Sequence, residues 1–151
     1  MHITLETDYA IRIVDYLARN QGRIGAKTIA ERSHITLRFS LKILRKLVAS
    51  GIARSFKGAQ GGYELARSLD EISLNDIVET IEGPYMLNRC LRDDSVCTRT
   101  GDKNCPYHYF FEYISKKVEM ELKAVTMAQV IVRPDQAARF PDLCQVCVTG
   151  D

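Results

Sequence analysis

Apolar residues Leu5, Ala10, Ile13, Val14 and Leu17 recur at helical spacing and give way to the polar and glycine stretch 20–22, which predicts a first helix. GAKTIAERS, residues 25–33, predicts a short second helix with Ile29 and Ala30 turned inward. After a connection through Ser33, His34 and Ile35, Thr36 is placed to cap a third helix that runs to about Ser50 and ends at Gly51. Leu37, Leu41, Leu44 and Val48 follow i, i+4, i+7, i+11 and are expected to face the core. Arg38, Lys42, Arg45 and Ala49 repeat the same steps one position later. Two short helices joined by a tight connection make a helix-turn-helix candidate. The three cations of the neighbouring stripe suit phosphates or guanine edges, although a solvated basic face would show the same spacing.

Ile52–Phe56 and Tyr63–Leu65 read as short strands around KGAQGG, with Lys57 and Gln60 at the tip. A helix-turn-helix followed at once by a basic-tipped hairpin is the winged-helix arrangement, in which the third helix enters the major groove and the wing reaches the backbone or minor groove. Gly58, Gly61 and Gly62 serve ordinary hairpin geometry and would let the wing approach DNA closely. SLNDIVETIEG predicts a further helix from its N-cap Ser73 to Gly83, stopped by Pro84. Residues 85–106 lack sustained periodicity and hold Cys90, Cys97 and Cys105. A long helix is expected from about Tyr107 to Val130, with Phe111, Ile114, Val118, Leu122, Val125 and Gln129 on one stripe. At about 1.5 Å per residue it exceeds 30 Å, more than a small domain covers, so it is expected to pair with its copy in a C2 homodimer. The fold class is therefore mainly α with a small β-hairpin. Residues 1–83 form the winged helix-turn-helix domain, 84–106 the cysteine-rich loop, 107–132 the dimerisation helix and 133–151 the tail.

Composition sharpens the picture at two points. The 151 residues carry a formal charge of only +2, yet within Arg23 to Lys57 nine basic residues face the single acid Glu31. That favours a nucleic-acid partner for the first half. The opening MHITLETDYA has no basic start followed by an apolar stretch, and no run approaches the ~20 apolar residues of a span, so a cytoplasmic protein without a membrane partner is expected. In a reducing compartment the five cysteines are more often ligands or redox groups than staples. No hydrolase triad, P-loop or dinucleotide fingerprint is present, which argues against an enzyme.

Cys90, Cys97 and Cys105 form a C-x6-C-x7-C array with His108 three residues further on. Compact zinc knuckles favour C-x2-4-C pairs, whereas wider gaps leave a loop able to wrap a larger cluster, and three thiolates leave one position for a weaker ligand. Zinc and a thiol-disulfide switch remain alternatives, as does a protein that borrows the fold without binding DNA. Cys144 and Cys147 form a separate C-x2-C pair, a further metal or redox site or an accident of the tail.

Together ITLETDYAIRIVDYLA, ITLRFSLKILRKLVASG, KGAQGGYELA, ISLNDIVETIEG and the three-cysteine loop resemble the Rrf-two family of bacterial winged-helix regulators, which includes IscR-, NsrR- and RirA-like iron-sulfur sensors. The resemblance covers about residues 1–130. It implies a cytoplasmic homodimeric regulator, a repressor in the commoner case, that binds double-stranded promoter DNA and senses nitric oxide, redox state or iron supply through an iron-sulfur cluster. Cys90, Cys97 and Cys105 match the cluster thiolates. In one branch a histidine at the position of His108 completes a 2Fe-2S site; in another an aspartate at the position of Asp8, from the other subunit, completes a 4Fe-4S site. The wider loop favours 4Fe-4S with Asp8, although a carboxylate in the first turns of a helix is favoured by the macrodipole regardless of metals. Thr36, Arg38 and Ser40 correspond to the start of the recognition helix, and Lys57 and Gln60 to the wing. Leu41 stands where IscR-like proteins place a glutamate that tunes base preference, and the cysteine gaps are longer than in the commonest members.

Overall fold

The structure, a computed structural model, describes residues 3–58, 60–92, 97 and 105–131. Local chemistry sets most helix ends. Helix α1 (Leu5–Arg19) starts at Thr4, whose hydroxyl accepts from the Thr7 amide. Helix α2 (Ala26–Arg32) starts after Gly25, and α3 (Leu37–Ala49) after Thr36, whose hydroxyl accepts from the Phe39 amide as expected. Gly51, at φ +72, takes the left-handed conformation that releases the chain from α3. Strands β1 (Ala53–Phe56) and β2 (Gly62–Leu65) pair antiparallel with Arg54 opposite Glu64 and Phe56 opposite Gly62. After a 3-10 turn at Leu69–Glu71, Ser73 and Asp76 form a reciprocal capping box that opens α4 (Leu74–Glu82). A second 3-10 turn at Arg89–Leu91 precedes α5 (Pro106–Ala124) and α6 (Met127–Ile131).

One core joins α1 to α4, the wing root and α6. Ala10, Ile13, Val14 and Leu17 of α1 meet Ile29 of α2, Ile43, Leu44 and Leu47 of α3, Ile52 and Ala53 at the wing root, Ile72 and Ile77, and Met127 of α6. Burying each large aliphatic side chain contributes about 1.5–3 kcal/mol before conformational entropy is charged.

Three expectations are corrected. The buried stripe of α3 is Ser40, Ile43, Leu44 and Leu47, with Leu41 and Val48 half-buried and Leu37 44% exposed. The helix is rotated from the expected phase because its aliphatic arc is wide, and the burial of Ile43 and Leu47 outweighs that of Leu37. Leu5 likewise lies exposed, and Thr7 takes the inward place in the first turn of α1.

The expected single helix over 107–130 is two helices. The chain leaves helical geometry at Val125, where the Leu74 amide donates to the Val125 carbonyl at 2.9 Å and the Met127 amide to the Ile72 carbonyl at 2.8 Å. Ser73 and Thr126 thus form an isolated antiparallel bridge that carries Met127 into the core. On α5, Phe111, Ile114, Val118 and Leu122 are half-buried, while Tyr107, Tyr109, Phe110, Tyr113 and Met120 are the exposed large apolar side chains. No helix among the described residues is long and apolar enough to cross a membrane. Cys144 and Cys147 lie outside the described residues.

Candidate nucleic-acid interface and cysteine loop

Thr36, Arg38, Lys42 and Arg45 all stand on the exposed side of α3. Neither Arg38 nor Arg45 has an ion-pair partner among the described residues, so their guanidinium groups face solvent uncompensated. Lys42 is held: its Nζ lies 2.8 Å from Glu6 Oε2, and Lys46 reaches Glu6 Oε1 at 2.7 Å. Burial pushes the Glu6 carboxyl up, but the hydrogen bonds and charges of Lys42 and Lys46 outweigh it and keep the group below the ordinary carboxylate range. Glu6 thereby fastens α1 to the helix that carries the basic stripe.

Ser40 is a correction. It is 0% exposed, and its hydroxyl has no hydrogen-bond partner among the described residues, so it faces the core and cannot meet DNA from this position. Its place one step from Leu44 on the inward arc, not its chemistry, decides this. Leu37 takes the opposite place: it lies exposed beside Arg38 at the start of α3, where an apolar side chain can meet a thymine methyl. The sequence pattern hid this because Leu37 fitted a core stripe equally well.

In the wing, Lys57, Gly58 and Gln60 are exposed at the tip. Gly58, at φ +95, makes the turn, and the Gly61 amide closes it on the Gly58 carbonyl at 2.9 Å. Gly61 and Gly62 have packing reasons. A Cβ on Gly61 would sit 2.4 Å from the Phe56 carbonyl oxygen, and one on Gly62 2.7 Å from the Ile24 carbonyl oxygen. Gly62 is buried, so its small size admits the chain before α2, in place of the expected close approach to DNA.

The cysteines bracket the start of α5. Cys90 lies in the 3-10 turn at 89–91, with its amide donating to Asn88 Oδ1, and that turn packs on α5. Cys105 is buried as the N-cap residue of α5 and makes no side-chain cap bond. Cys97 is half-buried. The Leu87 amide donates to Ser115 Oγ at 3.1 Å, so the segment before the loop is fastened to the helix after it. His108, half-buried in the first turn of α5, donates its amide to the Cys105 carbonyl at 2.9 Å. Asp8 sits on α1, partly exposed, 2.7 Å from Arg12. Among the described residues no three His, Cys, Asp or Glu side chains are gathered in a group that could hold a metal. The donor set itself, three thiols with a carboxylate or imidazole in reserve, is the chemistry that iron-sulfur clusters use.

The profile of the Rrf2 family, described as an iron-dependent transcriptional regulator, matches residues 3–133. A protein of Aquifex aeolicus named as an HTH-type transcriptional regulator is 30% identical over 124 residues, 82% of this chain and 86% of its own. The regulator CymR of Bacillus subtilis is 29% identical over 101 residues, 66% of this chain and 73% of its own. Among solved structures, CymR of B. subtilis, called the global cysteine regulator, aligns with a TM-score of 0.68 at 24% identity, covering 89% of this chain and 99% of that one. IscR of T. potens aligns with a TM-score of 0.67 at 24% identity, covering 91% and 90%. The chain belongs to the Rrf2 family of winged-helix, DNA-binding transcriptional regulators, and it is not an enzyme.

Proposed function

We propose that this regulator binds promoter DNA as a homodimer and that an iron-sulfur cluster held by Cys90, Cys97 and Cys105 sets its affinity. The observation that carries the reading is the position of Cys105, buried at the positive end of α5 and joined through α5 to the turn holding Cys90. The positive potential of a helix N-terminus suits a bound anionic group, and iron-sulfur clusters are held by cysteine thiolates. The family's description as iron-dependent points the same way. When bound, the cluster supplies redox- and ligand-sensitive iron; the chain supplies the thiolates and the link to the DNA-binding surface.

That link runs through α1. Asp8 shares its first turns with Glu6, which pairs with Lys42 and Lys46, and with Tyr9, whose ring meets Phe39 edge-on at 5.7 Å. Arg12, the partner of Asp8, lies 5.6 Å from the centre of the Tyr9 ring. If Asp8 served as a ligand to iron, a change at its carboxylate would reach Glu6 and Tyr9, the two side chains that position α3, which is the role expected of a fourth ligand that couples occupancy to DNA binding. His108 is the competing ligand, placed three residues after Cys105. For the dimer, Tyr107, Phe110 and Tyr113, large apolar side chains exposed along α5, are the surface to cover.

Anaerobically purified protein should be brown, contain iron and acid-labile sulfide, and bind promoter duplex with an affinity that changes when the cluster is removed. Serine at Cys90, Cys97 or Cys105 should abolish both colour and switching. Asp8→Ala and His108→Ala should separate the ligand models by which one alters the visible spectrum. Likeness to the cysteine regulator CymR supports a second reading, a thiol switch; colourless protein whose DNA affinity follows thiol oxidation would establish it.

A further inference from the structure

We propose that Arg23, in the connection between α1 and α2 and outside both the helix-turn-helix and the wing, is a DNA-phosphate contact held ready by stacking on Phe56. The proposal rests on the DNA-binding surface described above and extends it to a third segment.

The connection is not a loose loop. The Ile24 amide donates to the Tyr63 carbonyl at 3.0 Å and the Tyr63 amide to the Ile24 carbonyl at 2.9 Å, so one antiparallel bridge ties the chain at Ile24 to β2. Gly62 makes this approach possible, since any Cβ there would meet the Ile24 carbonyl oxygen at 2.7 Å. The segment is thus fixed to the base of the wing, and Arg23 moves with it.

Arg23 lies with its guanidinium carbon 3.8 Å from the centre of the Phe56 ring, the distance of a face-on stack. Arg54 approaches the same ring at 5.8 Å, but its charge is taken up by Glu64 at 2.7 Å. No carboxylate pairs with Arg23 among the described residues, and the residue is exposed. Stacking occupies the face of a guanidinium and leaves its N–H edge free, which is the edge that grips a phosphate through two parallel hydrogen bonds. It also orders a long side chain before binding, so less freedom is lost when the contact forms. Lys57 follows Phe56 at the wing tip and is exposed, and neither it nor Arg23 has an ion-pair partner among the described residues. Their chemistry matches backbone phosphates flanking the groove that the wing approaches.

The test uses the full-length protein and a labelled duplex from upstream of its own coding region, with a random-sequence duplex as control, titrated at several salt concentrations. Arg23→Ala should weaken binding about tenfold and reduce the slope of log affinity against log salt by roughly one. Arg23→Lys should keep the slope and lose part of the affinity, because lysine binds phosphate as a point charge. Phe56→Leu should also keep the slope while weakening binding, through loss of the stack. Arg23→Gln, which stays planar without charge, should reproduce the slope loss and replaces the alanine variant as the test if that variant melts early. Wild-type affinity and slope in both Arg23→Ala and Arg23→Gln, with Arg38→Ala and Lys57→Ala still impaired, would overturn the proposal and leave the DNA-binding reading intact. Failure of the unmodified protein to bind either duplex would instead bring down the reading on which it rests.

Discussion

Replacing Glu82 by alanine should destabilise the fold by about 2 kcal/mol, because this one carboxylate fastens the start of α1 to the end of α4. Its Oε1 accepts from the Thr4 amide at 3.0 Å, the Thr4 hydroxyl at 2.6 Å and the Thr7 hydroxyl at 2.5 Å. The two Thr4 bonds are exposed and contribute a few tenths of a kcal/mol each after competition with water. Thr7 is 0% exposed, so its hydroxyl loses a charged acceptor in the interior, a loss of about 1–3 kcal/mol. Against this, a carboxylate at the negative end of α4 is unfavourable to its own helix by about 0.3–1 kcal/mol, which the substitution relieves. The net value corresponds to a fall in melting temperature of roughly 4–8 °C for a chain of this size. Urea unfolding followed by circular dichroism at one fixed protein concentration measures it.

Glu82→Gln keeps an acceptor without the charge and should recover about half of the loss. Burial pushes the Glu82 carboxyl up, but the Thr4 and Thr7 hydrogen bonds and the Lys46 charge prevail and hold it below its ordinary value of 4.5. A group with a depressed folded pKa contributes stability that is present in full above 4.5 and lost as pH falls through the folded value. The unmodified protein should therefore lose more stability between neutral pH and about pH 3 than the glutamine variant does. An alanine variant within about 0.5 kcal/mol of wild type at neutral pH, well under the cost of an unmade buried bond, would refute the reasoning.

Gly62→Ala should destabilise the fold by about 1–3 kcal/mol, since its Cβ would force apart the two Ile24–Tyr63 hydrogen bonds; thermal melting checks this, with the unobstructed Gly25→Ala as control. Ser40→Ala removes a buried, unpartnered hydroxyl and should leave stability equal or higher and DNA affinity unchanged in gel-shift titration. Glutamate at both Phe110 and Tyr113 should convert the proposed dimer to monomer in analytical ultracentrifugation and weaken promoter binding, while the melting temperature of the monomer fold stays within a few degrees.

Caps and turns were legible in the sequence because their chemistry is local: Thr36, Ser73 and Gly83 each act on amides or carbonyls within four residues. The outward stripe of Arg38, Lys42 and Arg45 was legible because charged side chains are almost never buried unpaired. The inward phase of α3 was not, because Leu37, Leu41, Ile43, Leu44, Leu47 and Val48 offer more apolar faces than one core contact can bury, and only tertiary packing selects among them. Nor could the break after Ala124 be read, since neither Val125 nor Thr126 ends a helix by itself; the partners that end it, Leu74 and Ile72, are some fifty residues away. The approach of Ile24 to Tyr63 is likewise non-local, so Arg23 gave no sign of its place beside the wing. Cys90, Cys97 and Cys105 stand out in the sequence by type and order, whereas nothing local in the sequence selects between Asp8 and His108 as the proposed fourth ligand.

The bridge between Ser73 and Thr126 bears on how such a regulator can be taken apart or recombined. Met127 lies beyond the whole cysteine loop and the whole of α5, yet it is buried in the core, with α6 packed against α1 and the 3-10 turn at Leu69–Glu71. A chain cut at Gly83 would therefore leave a methionine-sized void in the body that presents α3, and filling it with nothing costs about 2–5 kcal/mol. The DNA-binding body and the cysteine segment are thus not modules joined by a linker: the chain departs from that body, carries the cysteines, and returns to complete its interior. Grafting a foreign segment onto residues before Pro84 should fail unless the graft also brings back the bridge and its methionine.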